Sequence, residues 1–196
     1  MTVRDPEMIT TSNAPKWTPG RAVLVGLLER YLAARMDPAI SLLEVHKLMY
    51  FAQEAGEPLS LKYVKAPYGP YAENLRHVLA KIEGSMISGY GDGGDTPEKP
   101  LILVPGAAAD ARDLLREHPT TLARFERVAK LVEGFETSFG MELLATVHWV
   151  RAHEDVPDQD VVEAVHAWNP RKRMFTASQI RLTAKRLVDE GWLAQA

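Results

Sequence analysis

Cysteine is absent from the 196 residues. Its absence removes structural disulfides, thiolate nucleophiles and Cys-based zinc sites together, and it fits a reducing compartment. No apolar run approaches the roughly 20 residues that a membrane span needs. The opening MTVRDPEMITTSNAPK also lacks the apolar centre of a signal peptide, so a soluble, cytoplasmic protein is the expectation. Positive charge is in short supply as well: 23 lysines and arginines against 26 acids leave a net charge of -3. No global field is therefore available to hold nucleic acid nonspecifically, and any electrostatic choice of partner falls to local patches. Apolar residues are plentiful, at 46% of the chain, enough to bury a core without staples.

Residues 1–16 mix Thr, Ser, Asn and Pro without a period and read as a disordered tail or linker remnant; the expected domain is 17–196. Thr18 followed by Pro19 is an N-cap and first-turn pair, and Val23, Leu24, Leu27, Leu28, Tyr31 and Leu32 recur at helical spacing as far as Met36. Ser41 with Glu44 makes a capping box, typically contributing about 1 kcal/mol, for a second helix to Ala55 that should be central, with Gly56 as its stop. Alternation over 59–64 predicts a strand. PYGPY then reads as a stiff corner that ends the strand and aims a third helix, with Leu75, Val78, Leu79 and Ile82 inward. Residues 86–90 and 101–104 flank GDGGDTPEKP as a hairpin, and with 59–64 they would form a small three-stranded sheet. Beyond residue 107 the pattern is helical, over about 107–117, 120–138, 140–153, 158–168 and 176–190. The fold class expected is α+β and mostly α-helical: a single domain of about seven to eight helices with a small antiparallel β insert. Thr176 capping a last helix that ends in DEGWL gives the C-terminal part a cadence similar to winged-helix proteins.

Motifs that carry chemistry are scarce. GDGGD lacks the Gly-Lys-Ser/Thr ending and the helix start of a phosphate loop, so a turn is the better account. His148 and His153, five apart, fall on different helix faces, and Glu73 with His77 reads as a surface pair. There is no nucleophile elbow, dinucleotide fingerprint or paired-carboxylate motif of known spacing. Charge is more informative. Between Leu131 and Trp168 eight acids face Arg151 alone, a local net of about -7, and the next segment reverses sign through Arg171, Lys172, Arg173, Arg181, Lys185 and Arg186.

KLMYFAQEAGEPLSLKYVKAPYGPYAENLRHVL and ISGYGDGGDTPEKPL resemble the C-terminal, toxin-neutralising domain of the DarG antitoxins; more distantly, KLMYFAQ is similar to the opening of the Panacea antitoxin domains. The likeness to DarG continues through LVEGFETSFGMELLATVHWV and HAWNPRKRMF to GWL, covering nearly everything after Trp17. In DarG, an N-terminal macrodomain removes ADP-ribose from DNA, and the C-terminal part blocks the toxin DarT, an NAD-dependent ADP-ribosyltransferase acting on thymidine in single-stranded DNA. With no macrodomain counterpart in this sequence, the resemblance implies an antitoxin and not an enzyme. It would be a DarT inhibitor, without catalytic residues, cofactor or metal, occupying the toxin's DNA cleft as a DNA mimic. Glu133, Glu136 and Glu142 would then stand for phosphates and Tyr68, Tyr71 and Tyr90 for stacked bases, although packing of the corner onto the sheet accounts for the tyrosines equally well. Asp92 and Asp95 in the hairpin and Arg171 in the basic segment complete the candidate toxin-binding set. The runner-up is a winged-helix-like DNA-binding regulator using the basic segment; an unrecognised hydrolase stands third.

Overall fold

The computed structural model describes residues 15–91 and 93–194, so nearly all of the expected tail, and Asp92, lie outside the described residues. Helix α1 (Pro19–Arg35) starts on Thr18, whose hydroxyl accepts from the Arg21 amide, as its Thr-Pro opening predicts. Strand β1 (Ile40–Ser41) leads into α2 (Leu42–Glu54), where the Ser41/Glu44 capping box forms in both directions. Every residue of α2 from Leu42 to Ala52 is buried. An all-round buried helix is the centre of a core, and α1 packs against this one.

Strands β2 (Tyr63–Ala66) and β3 (Gly69–Ala72) precede α3 (Leu75–Ile82); β4 (Ile87–Ser88) and β5 (Pro100–Leu103) follow it. Five more helices bring the total to eight among the described residues: α4 (Ala107–Glu117), α5 (Pro119–Val132), α6 (Ser138–Ala152), α7 (Val161–Trp168) and α8 (Ala177–Asp189). Of these, α5 and α6 join α1 around α2. Short 3-10 turns, Asp158–Asp160 and Pro170–Met174, flank α7. The chain is thus α+β and mostly helical. Among the described residues no strand follows β5, so α8, capped as predicted by Thr176 and Gln179, is not followed by a wing of paired strands. No helix among the described residues is long and apolar enough to cross a membrane.

The sheets differ from the expected one. β5 lies between β1 and β4, with Ile40 opposite Leu101 and Ile87 opposite Leu103, while β2 and β3 form a separate antiparallel ribbon. Residues 59–61 are not strand because the Gln53 side chain takes both the Leu61 amide (2.7 Å) and its carbonyl (2.9 Å), tying the segment to the end of α2. Ser60 also turns to φ 57, outside any strand. PYGPY is accordingly not a corner into α3 but the turn and second strand of a β-hairpin. Gly69 takes φ +96 there, and a Cβ on it would stand 3.1 Å from Thr146 Oγ1.

Candidate functional site

The hairpin roofs a groove of about 240 Å³. The first turns of α2 supply its floor, His46 and Lys47; the hairpin supplies Tyr68, Gly69 and Tyr71; the loop before β5 adds Asp95. Tyr71 stacks on His46 with ring centroids 4.5 Å apart and donates its hydroxyl to Asp95 Oδ2 at 3.0 Å. Tyr90 donates to the other carboxylate oxygen at 3.4 Å. Burial, then the bond to Asp95, pushes the Tyr71 phenol up to about 12.

Beneath this the charges are unusual. Burial, and then the neighbouring Lys47, hold the His46 imidazole down at about 3, so it is neutral, and its Nδ1 has no hydrogen-bond partner. Lys47 is 2% exposed; burial and then Lys172, opposed by Glu142, bring its ammonium down to about 7. Its Nζ donates to the Pro70 carbonyl at 2.6 Å. Glu142, 1% exposed, accepts from Lys172 Nζ at 2.6 Å and from Arg171 Nε and Nη2 at 3.2 and 3.1 Å. Arg171 also lies over the Tyr68 ring, 4.7 Å from its centroid. One carboxylate thus serves a region holding two buried lysines and a half-exposed arginine. The groove is walled by aromatic rings, with the Lys47 side chain in its floor and Asp95 fixed beside them by two phenols.

The structure joins four of the sequence candidates, Tyr68, Tyr71, Asp95 and Arg171, at this groove and brings Tyr90 to it only through Asp95, its ring being buried. Asp92 lies outside the described residues. The three glutamates do not share a surface. Glu142 is enclosed by its cations, whereas Glu133 and Glu136 border a separate depression beside Arg30 and Tyr31, with Glu136 accepting from the Gly134 amide at 2.7 Å. His46, Lys47 and Lys172 were missed by sequence reasoning. The available signal was the polar pair His46-Lys47 set inside the apolar run of α2, together with the positive segment at 171–173.

A second cluster departs from the helical-face expectation. Glu54, His148 and His153 present ligand atoms within 4.8 Å of one another. His153 caps α6 and folds back to stack on Trp149 at 4.5 Å, which carries it toward His148. His148 Nδ1 meets the Tyr50 hydroxyl at 2.7 Å and the ring also bonds the Trp192 backbone, while His153 Nε2 meets Glu54 Oε1 at 3.0 Å. These atoms already satisfy one another, closing α2, α6 and the C-terminal turn into one network.

No family model matches the chain. Among curated proteins, it is 39% identical over 187 residues to the DNA ADP-ribosyl glycohydrolase of Thermus aquaticus, across 95% of this chain and 51% of that protein. To the DNA ADP-ribosyl glycohydrolases of Mycobacterium tuberculosis and Mycobacterium bovis it is 36% identical, across 88% of this chain and 53% of theirs. The chain is therefore a relative of DNA ADP-ribosyl glycohydrolases, in keeping with a DarG relationship, and it spans about half the length of the curated relatives it matches. These relatives bear the name of an enzyme. That name overturns the expectations of a non-enzymatic, DNA-mimicking DarT inhibitor and of a winged-helix regulator alike.

Proposed function

We propose that the chain acts in the hydrolytic removal of ADP-ribose from DNA, as the half of a DNA ADP-ribosyl glycohydrolase that resembles the C-terminal region of DarG, and that its groove receives the nucleotide. The observation that carries this reading is the identity of 36–39% to proteins of that name across 88–95% of the chain. The groove supports it chemically. Hydrolysis breaks the bond from the ribose anomeric carbon to its acceptor group on DNA; water's oxygen bonds that carbon, one of water's protons passes to a base and the departing group gains one. Asp95 is fixed at the groove by two phenols, and the Lys47 ammonium suits the side where negative charge develops.

The test incubates the purified chain with an ADP-ribosylated single-stranded oligonucleotide, following its retention by gel shift and free ADP-ribose by chromatography, with the Thermus aquaticus relative as the positive control. Retention of the modified strand in preference to the unmodified one, or release of ADP-ribose, is the expected result. A chain that does neither while the control releases ADP-ribose overturns the reading.

A further inference from the structure

Away from the groove, α2 and α6 bring two imidazoles and a carboxylate to one point. Glu54 is the last residue of α2, His148 sits inside α6 and His153 caps it, and one ligand atom from each lies within 4.8 Å of the other two. A tetrahedral zinc ion with bonds of about 2.0–2.2 Å holds its ligand atoms about 3.3 Å apart. His153 Nε2 and Glu54 Oε1, at 3.0 Å, already stand that close, and the remaining separations need shorten by at most about 1.5 Å. His153 can supply that movement, since it lies just past the last residue of α6 and its side chain is 37% exposed. Aromatic walls hold both imidazoles: His153 stacks on Trp149 at 4.5 Å, and His148 meets the Tyr50 and Phe51 rings edge-on at 5.5 and 5.4 Å. The His148 ring has two polar partners, the Tyr50 hydroxyl and the Trp192 backbone, so a cation that displaces one leaves the other as the outer partner that metal-bound imidazoles keep. His148 is buried, which puts the entry path on the side of Glu54 and His153. Two nitrogens and one oxygen suit zinc and its neighbours, whereas magnesium and calcium take oxygen sets. The hydrogen bonds that close the cluster are those that such an ion replaces.

We propose that Glu54, His148 and His153 bind one zinc-class divalent cation, with a water completing the tetrahedron, and that the ion clamps the end of α2 to the end of α6. None of the three lines the groove, so the site stands apart from the proposed handling of ADP-ribosylated DNA.

Isothermal titration of the chelator-stripped chain with zinc chloride tests it. One equivalent should bind, and zinc in excess should raise Tm, because a ligand that binds only the folded chain stabilises it. Magnesium chloride at the same concentration should do neither. His153→Ala and Glu54→Gln should each weaken zinc binding at least about tenfold, the loss that follows from removing even an outer partner of a metal ligand. His77→Ala, which removes an exposed histidine of α3, should bind zinc as the wild type does. The metal-free Tm of each variant shows whether it is folded, and because the two ligand variants act on different helices, one suffices if the other is not. No saturable binding, an equal response to magnesium, an affinity unchanged in a folded ligand variant, or a loss as large in His77→Ala overturns the site and leaves the three residues as a hydrogen-bonded network.

Discussion

Replacing Lys47 by methionine should make the protein more stable. The ammonium is driven from 10.5 in the unfolded chain to about 7 in the folded one. At about 1.4 kcal/mol per unit, that gap of 3.5 units corresponds to about 3–5 kcal/mol of unfavourable free energy near neutrality. Methionine is unbranched, of similar length and free of this penalty, and its loss of the hydrogen bond to Pro70 costs about 0.5–1.5 kcal/mol. Glu142 keeps Lys172 and Arg171, so no charge is orphaned. The net gain is about 1.5–4.5 kcal/mol, or about 3–18 °C in Tm for a chain of this size.

That gain should depend on pH, with a definite sign. Between pH 7 and 10.5 the unfolded chain binds a proton at residue 47 that the folded chain does not, so the wild type gains stability as pH rises through that window. Lys47→Met lacks this contribution. The advantage of the variant is therefore largest at pH 7 and shrinks toward pH 10, while the titrations of the remaining groups cancel in the comparison. Urea unfolding followed by tryptophan fluorescence at pH 7, 8 and 9 measures it. A variant less stable than wild type at pH 7, or a difference that ignores pH, would show that the buried ammonium is favourably paired and that the groove floor carries no stored penalty.

Glu142→Gln should destabilise by about 3–5 kcal/mol in chemical denaturation, since it leaves Lys172 and Arg171 around a neutral amide; a loss under about 1 kcal/mol would mean that water replaces the carboxylate. Gly69→Val should lower stability by about 1–3 kcal/mol because φ is +96 and Thr146 Oγ1 stands 3.1 Å from the new Cβ. Gly89→Ala should be worse, with its Cβ 2.4 Å from the Pro100 carbonyl oxygen at φ +108, and an unchanged Tm for either glycine variant counts against the hairpin or β4–β5 geometry. His46 and His148 are both held at about 3, so the unfolded chain binds two protons that the folded one does not between about pH 3 and 6.5. Stability should then fall on acidification below 6.5, by up to about 2.7 kcal/mol per pH unit from this pair, and His148→Gln should halve that contribution; an unaltered slope refutes it.

What the sequence disclosed depended on whether the interaction was local. The Ser41/Glu44 and Thr176/Gln179 boxes and the Thr18 cap close within three residues, and all form as their letters imply. Helix periodicity was readable too, except that the helix expected over 120–138 stops at Val132, with Gly134 at φ 88 beyond it, and so was the β4–β5 pairing across a Gly-rich loop. Strand partners were not. Ile40–Ser41 joins β5 from about 60 residues upstream, and 59–61 is claimed by Gln53 before any ladder can take it. The acidic block failed for a similar reason. Glu142 has the same letter as Glu133, yet one is enclosed by cations brought from 171–172 and the other is exposed. Charge counted along a chain does not say which carboxylates face water.

The groove is assembled from three segments that sequence keeps apart: the start of α2, the hairpin at 66–71 and the loop at 95–97. The one local sign of it is the adjacent polar pair His46-Lys47 in a helix buried from Leu42 to Ala52. A chain selected only for stability would place a hydrophobic residue at position 47, because burying an ammonium with unfilled donors is unfavourable whatever surrounds it. Departures from local consistency are expected where function demands them. If Lys47 serves the groove's ligand and not the fold, Lys47→Met must raise Tm and weaken retention of ADP-ribosylated DNA in the same protein. A substitution that raised stability and left every binding property intact would reduce His46 and Lys47 to an unexplained feature of the core, and the groove to a gap under a hairpin.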